Sequence, residues 1–183
     1  VRLFDITRTL GPGAWVWPGD RPYERGLTWK IAEGASVNVG WVTMSCHTGT
    51  HMDAPFHFDD RAGAVETIPL EHCVGPCLVL PLARLDSAAG AERVLVKSGG
   101  LAPTAEAIER LGDLKLFGTD GHSVDPMDSK TLDAHHALWR KGAVILEELD
   151  LTQVPDGAYE LIALPLKLAG MDAAPVRAIL IQR

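Results

Sequence analysis

The stretch Cys46-His47-Thr48-Gly49-Thr50-His51-Met52-Asp53-Ala54-Pro55-Phe56-His57 concentrates groups that can bind metals or move protons, and it holds three of the chain's seven histidines. Neutral imidazole and carboxylate are the usual ligands of zinc and similar divalent ions. His47, His51, Asp53 and His57 all carry odd numbers. In extended backbone, residues of equal parity share a face. Thr48 and Thr50 favour an extended chain, and Gly49 leaves room between the first two imidazoles. The spacing therefore predicts that these groups converge and hold a metal that does chemistry.

A closed structural zinc site uses four protein ligands, whereas a catalytic site keeps a position open. A carboxylate such as Asp53 can bridge two metals, and a two-metal centre needs further donors from elsewhere in the chain. Two segments supply candidates. Glu147 follows the apolar run Ala143-Val144-Ile145-Leu146, and a carboxylate at the end of a buried strand is costly unless paired or metal-bound. Glu148, of opposite parity, is expected in solvent. His135 and His136 are adjacent, so one can ligate while the other packs, and spacing does not choose between them. Trp15 and Trp17 lie in a loop punctuated by Gly13 and Pro18-Gly19, where an aromatic platform for an aromatic substrate competes with simple packing. Cys46 adjoins His47 but has the other parity and is expected to face the core. Cys73 and Cys77 read as small buried thiols, since no second Cys or His pair follows at finger spacing.

Other chemistries find no support. The chain has no G-x-S-x-G elbow, H-E-x-x-H helix, P-loop or G-x-G-x-x-G turn. Its net charge of −7 argues against nucleic acid as a partner. No apolar run of about 18 residues suggests a membrane span, so no membrane partner is expected. Three cysteines, an odd number, point to a reducing, cytoplasmic setting.

The elements that must position these groups are mostly strands. We expect strands at residues 3–6, 38–46, 77–82, 94–97, 114–117, 143–146, 159–168 and 176–181, with Pro165 marking an edge or bulge. Helices are expected at 104–111, capped by Thr104 and stopped by Gly112, and at 130–141, stopped by Gly142. Strands and helices mix without strict alternation. This predicts one α/β domain over residues 1–183 with a mixed sheet.

The run His47-Thr-Gly-Thr-His51-Met-Asp53-Ala-Pro-Phe-His57 resembles the signature of the cyclase-like metal hydrolases. Further segments resemble the bacterial kynurenine formamidases, or arylformamidases: Trp17-Pro-Gly-Asp20, Ser123-Val-Asp-Pro126, Asp128-Ser-Lys-Thr-Leu-Asp-Ala-His-His136, Ile145-Leu-Glu147, Tyr159-Glu-Leu-Ile-Ala-Leu-Pro-Leu166 and Asp172-Ala-Ala-Pro-Val-Arg177. They span nearly the whole chain in the family's order. The resemblance implies a swivelling β/β/α fold, a homodimer, and two zinc ions per subunit, with manganese as the alternative metal. It implies hydrolysis of a small aromatic N-formyl amide, N-formyl-L-kynurenine, to L-kynurenine and formate in tryptophan breakdown. His47, His51 and Asp53 match zinc ligands, with Asp53 bridging, and His135 and Glu147 match the ligands from the second half. His57 matches the acid–base residue, and Trp17 an aromatic that contacts substrate. Two departures stand out. The stretch between Val94 and Leu114 is shorter than in the family, and Gly121-His122 stands where a small residue and Pro are common. His122 is expected at the surface, with reach into the site as the alternative.

Two alternatives frame the tests. A related cyclase-like hydrolase would open a cyclic amide such as isatin. A non-catalytic metal-binding module would show no turnover, although a spare imidazole at His57 argues against a purely structural site.

Overall fold

A computed structural model describes residues 1–183. Its strands are β1 (Arg2–Asp5), β2 (Glu24–Trp29), β3 (Val39–Thr43), β4 (His51–Asp53), β5 (Val74–Pro81), β6 (Arg93–Lys97), β7 (Leu116–Thr119), β8 (Val144–Glu147), β9 (Gly157–Pro165) and β10 (Ala173–Gln182). The helices are α1 (Leu70–Cys73), α2 (Ala105–Glu109) and α3 (Asp133–Arg140). One sheet runs β1-β10-β4-β8-β7-β6-β5-β9, and β9 also pairs with β10, which closes seven strands into a ring with β1 attached outside it. β5 to β8 are parallel neighbours and the other pairings are antiparallel. The sheet is therefore mixed, as expected.

Alternation along the strands separates two cores. Leu95, Leu116, Val144 and Leu146 join Met52, Leu161 and Leu180 inside the barrel. Val94, Val96, Phe117 and Ile145 face outward and pack against Ile108 of α2 and Ala134 and Leu138 of α3. A strand buried on both faces reads as a continuous apolar run, which is why β6, β7 and β8 were visible in the sequence. Thr104 caps α2 as predicted, its hydroxyl accepting from Ala107 N at 3.2 Å. Gly142 follows α3 with φ +72°, the left-handed conformation that ends a helix.

Three local expectations need correction. The strand predicted over 38–46 covers only β3 and does not run into the His-rich segment. Its partner β2, Glu-Arg-Gly-Leu-Thr-Trp, lacks a clear alternation and was not foreseen, and the two form a separate hairpin. The strand predicted to 168 stops at Pro165, since proline cannot donate to a ladder.

Candidate active site

The site lies on the outer face of the barrel, where β4 and β8 meet α3. In the antiparallel pair, His51 stands opposite Glu147, Met52 opposite Leu146, and Asp53 opposite Ile145. Residues directly opposite one another share a face. Met52 and Leu146 thus point into the barrel, and His51, Asp53 and Glu147 point out toward the helix layer. The parity argument holds for this strand alone. Gly49, at φ +65°, turns the chain before β4, and Pro55–His57 forms a tight 3-10 turn after it. His47 and His57 are brought back by those turns, not by an extended backbone.

The donor atoms converge. His47 Nδ1 lies 3.1 Å from Asp53 Oδ1, and His51 Nε2 lies 3.3 Å from the same oxygen and 3.5 Å from Glu147 Oε2. His135 Nε2, from the first turn of α3, is 3.6 Å from Asp53 Oδ2 and 3.8 Å from Glu147 Oε1. Ligands at about 2.0–2.1 Å around a tetrahedral zinc stand roughly 3.3 Å apart, so these spacings suit a shared ion. Two overlapping donor groups arise, His51–Asp53–Glu147 and His47–Asp53–His57, with Asp53 common to both. His51 Nε2 and both Asp53 oxygens are buried and have no hydrogen-bond partner. Buried polar atoms left unpaired are costly, and a bound cation is the usual remedy. The donor set fits a divalent metal.

Each imidazole is held from behind. His51 Nδ1 donates to Gly49 O at 2.7 Å, which leaves Nε2 as the lone-pair nitrogen facing Asp53. His135 Nδ1 meets Asp125 Oδ2 at 2.6 Å, and the Asp125 carboxylate also accepts the amides of Ala134 and His135 at the start of α3. That contact orients the ring and complements the helix N-terminus with one group. Asp172, one residue before β10, reaches His47 Nε2 at 2.8 Å and His57 Nδ1 at 3.2 Å. Val124 N donates to Glu147 Oε1 at 2.7 Å. Asp172 and Asp125 lay in segments singled out in the sequence, but nothing in a lone Asp beside Ala or Pro marks it as a brace for a distant imidazole.

The electrostatics follow from this packing. Burial pulls the His47 and His135 imidazoles down, but Asp172 and Asp53 more than offset it for His47, lifting it to about 9, and Asp125 and Asp53 lift His135 to about 10. His51 is opposed by complete burial and still raised well above the usual range by Asp53 and Glu147. Burial pushes Asp53 up, and the surrounding imidazoles hold it well below the usual carboxylate range. The His47 and His57 rings likewise keep Asp172 low. A cation entering this cluster must displace protons.

The neighbouring histidines are placed differently. His135 is buried in the cluster, whereas His136 packs against Phe58 and Trp139. A cavity of about 460 Å³ opens over the donors, lined also by Trp15, Trp17, Asp20, His122, Ser123 and Leu132. Trp17 meets Trp15 edge-on at 5.6 Å and is 36% exposed. His122 is exposed, as expected, and also reaches the site: it lines the cavity, stacked on Trp15 at 3.9 Å. Two expectations fail here. Glu148 is not solvated: it is 1% exposed, paired with Arg8 at 3.0 Å and bonded to His122. Strand β8 ends at Glu147, and φ +58° at Glu148 swings that side chain off the alternating pattern. Cys46 does not enter the core but is half-buried beside Val42, Leu168 and Pro175.

The comparisons with known proteins agree with this geometry. The family model described as "Putative cyclase" matches residues 4–109. The chain is 44% identical over 204 residues to a kynurenine formamidase of Maricaulis maris, covering 98% of each protein. It is 45% identical over 209 residues to a kynurenine formamidase of Salinibacter ruber, covering 98% of this chain and 97% of that one. A solved structure described as a potential metal-dependent hydrolase with cyclase activity superposes with a TM-score of 0.84 at 29% identity, covering 100% of this chain and 98% of that one. Isatin hydrolase A from Labrenzia aggregata superposes with a TM-score of 0.81 at 27% identity, covering 100% and 94%. The chain belongs to the cyclase family, and relatives 44–45% identical to it over nearly its full length are named kynurenine formamidase.

Proposed function

We propose that this chain is a metal-dependent arylformamidase that hydrolyses N-formyl-L-kynurenine to L-kynurenine and formate in tryptophan breakdown. The observation that carries the reading is the buried, unpartnered donor set of His51 Nε2 and both Asp53 oxygens beneath an aromatic-walled cavity. Residues 1–183 act as one catalytic domain. His47, His51, Asp53, His135 and Glu147 would hold two zinc ions, Asp53 being common to both donor groups. Bound there, zinc would supply Lewis-acid activation, bringing the pKa of a bound water down to about 7.

The chain's own groups do the rest. Asp172 holds His57 Nδ1, which leaves Nε2 as the nitrogen that can exchange a proton with the reacting groups. His57 takes a proton from the attacking water and returns it to the aniline nitrogen as the C–N bond breaks. The carbon leaves as formate, and the nitrogen as a free arylamine. Imidazole can both accept and return a proton, which suits both halves of that transfer. Trp17, edge-on to Trp15, offers an aromatic wall against which the aryl ring packs, holding the amide in line for attack. Metal analysis combined with formate release from N-formylkynurenine tests the reading. No release of formate from any N-formyl arylamine by metal-loaded protein would favour a binding module instead.

The likeness to isatin hydrolase A supports a second reading, opening of a cyclic amide with zinc or manganese. Rates on isatin and N-formylkynurenine, each with both metals, separate the two. A homodimer is supported by the β2–β3 hairpin, whose Trp29, Trp41 and Val42 are exposed. A cytoplasmic setting is supported by three unpaired thiols. No helix is long and apolar enough to cross a membrane.

A further inference from the structure

We propose that His122 is a substrate-binding residue that reads the amino-acid head of the formyl aryl amide; this rests on the function proposed above. The ring is fixed on a face and on an edge. It stacks on Trp15 with centroids 3.9 Å apart and planes 11° from parallel. Its Nδ1 edge is bonded to Glu148 Oε1. Glu148 is itself held: Oε2 meets Arg8 Nε at 3.0 Å, and the Glu148 amide donates to Gly121 O at 3.1 Å. The Arg8 guanidinium also donates to the carbonyls of Glu148 at 3.2 Å and Asp120 at 3.0 Å. With Nδ1 tied to the protein wall, the opposite edge, carrying Nε2, is the part left free in the cavity, and the side chain is 42% exposed.

The backbone of this support also steadies the strand of the metal donors, Thr50 Oγ1 donating to Glu148 O at 2.6 Å, but the buried Glu148 carboxylate itself meets only Arg8 and His122. The layout of the cavity says what that imidazole meets. The metal donors receive the formyl end, and Trp15 and Trp17 wall the ring. An α-amino acid substituent then extends past the aromatic wall. No lysine or arginine lines the cavity, and outside the metal cluster the polar side chains available are Asp20, His122 and Ser123. Of these, Asp20 accepts from the Arg21 amide through Oδ1, and only His122 can donate a ring N–H. With Nδ1 donating to the Glu148 carboxylate, Nε2 is the atom left to hydrogen-bond a charged group of the amino-acid head.

The test compares two substrates with the same formyl-aryl ketone: N-formyl-L-kynurenine, and ortho-formamidoacetophenone, which lacks the amino-acid head. Zinc-loaded wild type, His122→Ala and His122→Phe are assayed, the phenylalanine keeping an aromatic ring on Trp15. Both variants should lower the ratio of kcat/KM, kynurenine substrate over truncated substrate, by about tenfold, the scale of one hydrogen bond to a charged group. The loss should fall on KM. Calorimetry should show L-kynurenine binding weakened about tenfold, and ortho-aminoacetophenone weakened less. An unchanged ratio in His122→Phe, or equal losses on both substrates, overturns the proposal and leaves His122 as wall alone. A wild type that cleaves neither substrate sinks the proposed function, and this inference with it.

Discussion

Two antiparallel strand pairs in this molecule reverse the ordinary rule of burial. β4 and β8 are buried throughout, yet they carry His51, Asp53 and Glu147. β2 and β3 are exposed along nearly their whole length, yet they carry Leu27, Trp29, Trp41 and Val42. Trp41 lies over Gly26, its cross-strand neighbour, where a Cβ would come within 2.6 Å of the indole. Ionisable groups are kept out of water only where something compensates their desolvation, and large apolar groups stay in it only where a partner or a function compensates theirs. The two pairs therefore teach from opposite sides: the first is incomplete without a cation, and the second exposes the apolar surface on which the proposed second copy would sit.

The sharpest way to break this comparison is at Asp53, the carboxylate common to both donor groups. Asp53→Ala should abolish activity and leave both metal positions empty by elemental analysis. Two tightly held zinc ions in that variant would refute the bridge. Next in size is His57→Ala, which should keep its metal and lose roughly 10²–10⁴-fold in rate, the usual scale for a general acid–base group. Because His57 also belongs to one donor group, metal loss in this variant would instead make it a ligand.

The third prediction concerns pH. In the metal-free chain His47 sits at about 9 and His135 at about 10, both raised above the ordinary 6.5. Their ion pairs therefore contribute stability in full below pH ~6.5 and lose it as pH rises through 9 to 10. Metal binding needs neutral imidazole and has the opposite dependence. Zinc affinity should rise with pH across neutrality. Loading zinc at pH 7 should release protons, measurable by titration in weakly buffered solution, whereas the melting temperature of the metal-free chain should fall from pH 7 to 10. Zinc uptake without proton release would mean that the cluster is already deprotonated. The smallest expected effect on turnover is at the hairpin. Trp29→Ser with Trp41→Ser should shift sedimentation from dimer to monomer while metal content is retained. A monomeric wild type would remove the second half of the comparison.

Much of the donor set was legible because its residue types are rare and clustered, and because Glu147 ends an apolar run that could only be a buried strand. What stayed hidden depends on long-range placement. Asp172 braces imidazoles 125 and 115 residues away, and no local pattern encodes that pairing. Glu148 was misread because parity assumes a continuing strand, and the left-handed turn at that residue breaks the alternation. The hairpin was half missed because a strand with no buried face carries no periodic signal. His122 was legible as a surface residue, but its place in the cavity was not, because Trp15, on which it stacks, lies more than a hundred positions earlier.

The pairing of β9 with β10 that closes the barrel also governs when the protein can begin to work. Asp172 and the strand beside β4 come from the last stretch of the described chain, so a growing polypeptide at the ribosome carries His47, His51 and Asp53 long before their final neighbours exist. Strand β8 can set the register of β4 once residues 144–147 are made, but the Asp172 brace and the barrel closure wait for residues 172–182. A product terminated before Asp172 should therefore hold His47 and His57 loosely and be left inert.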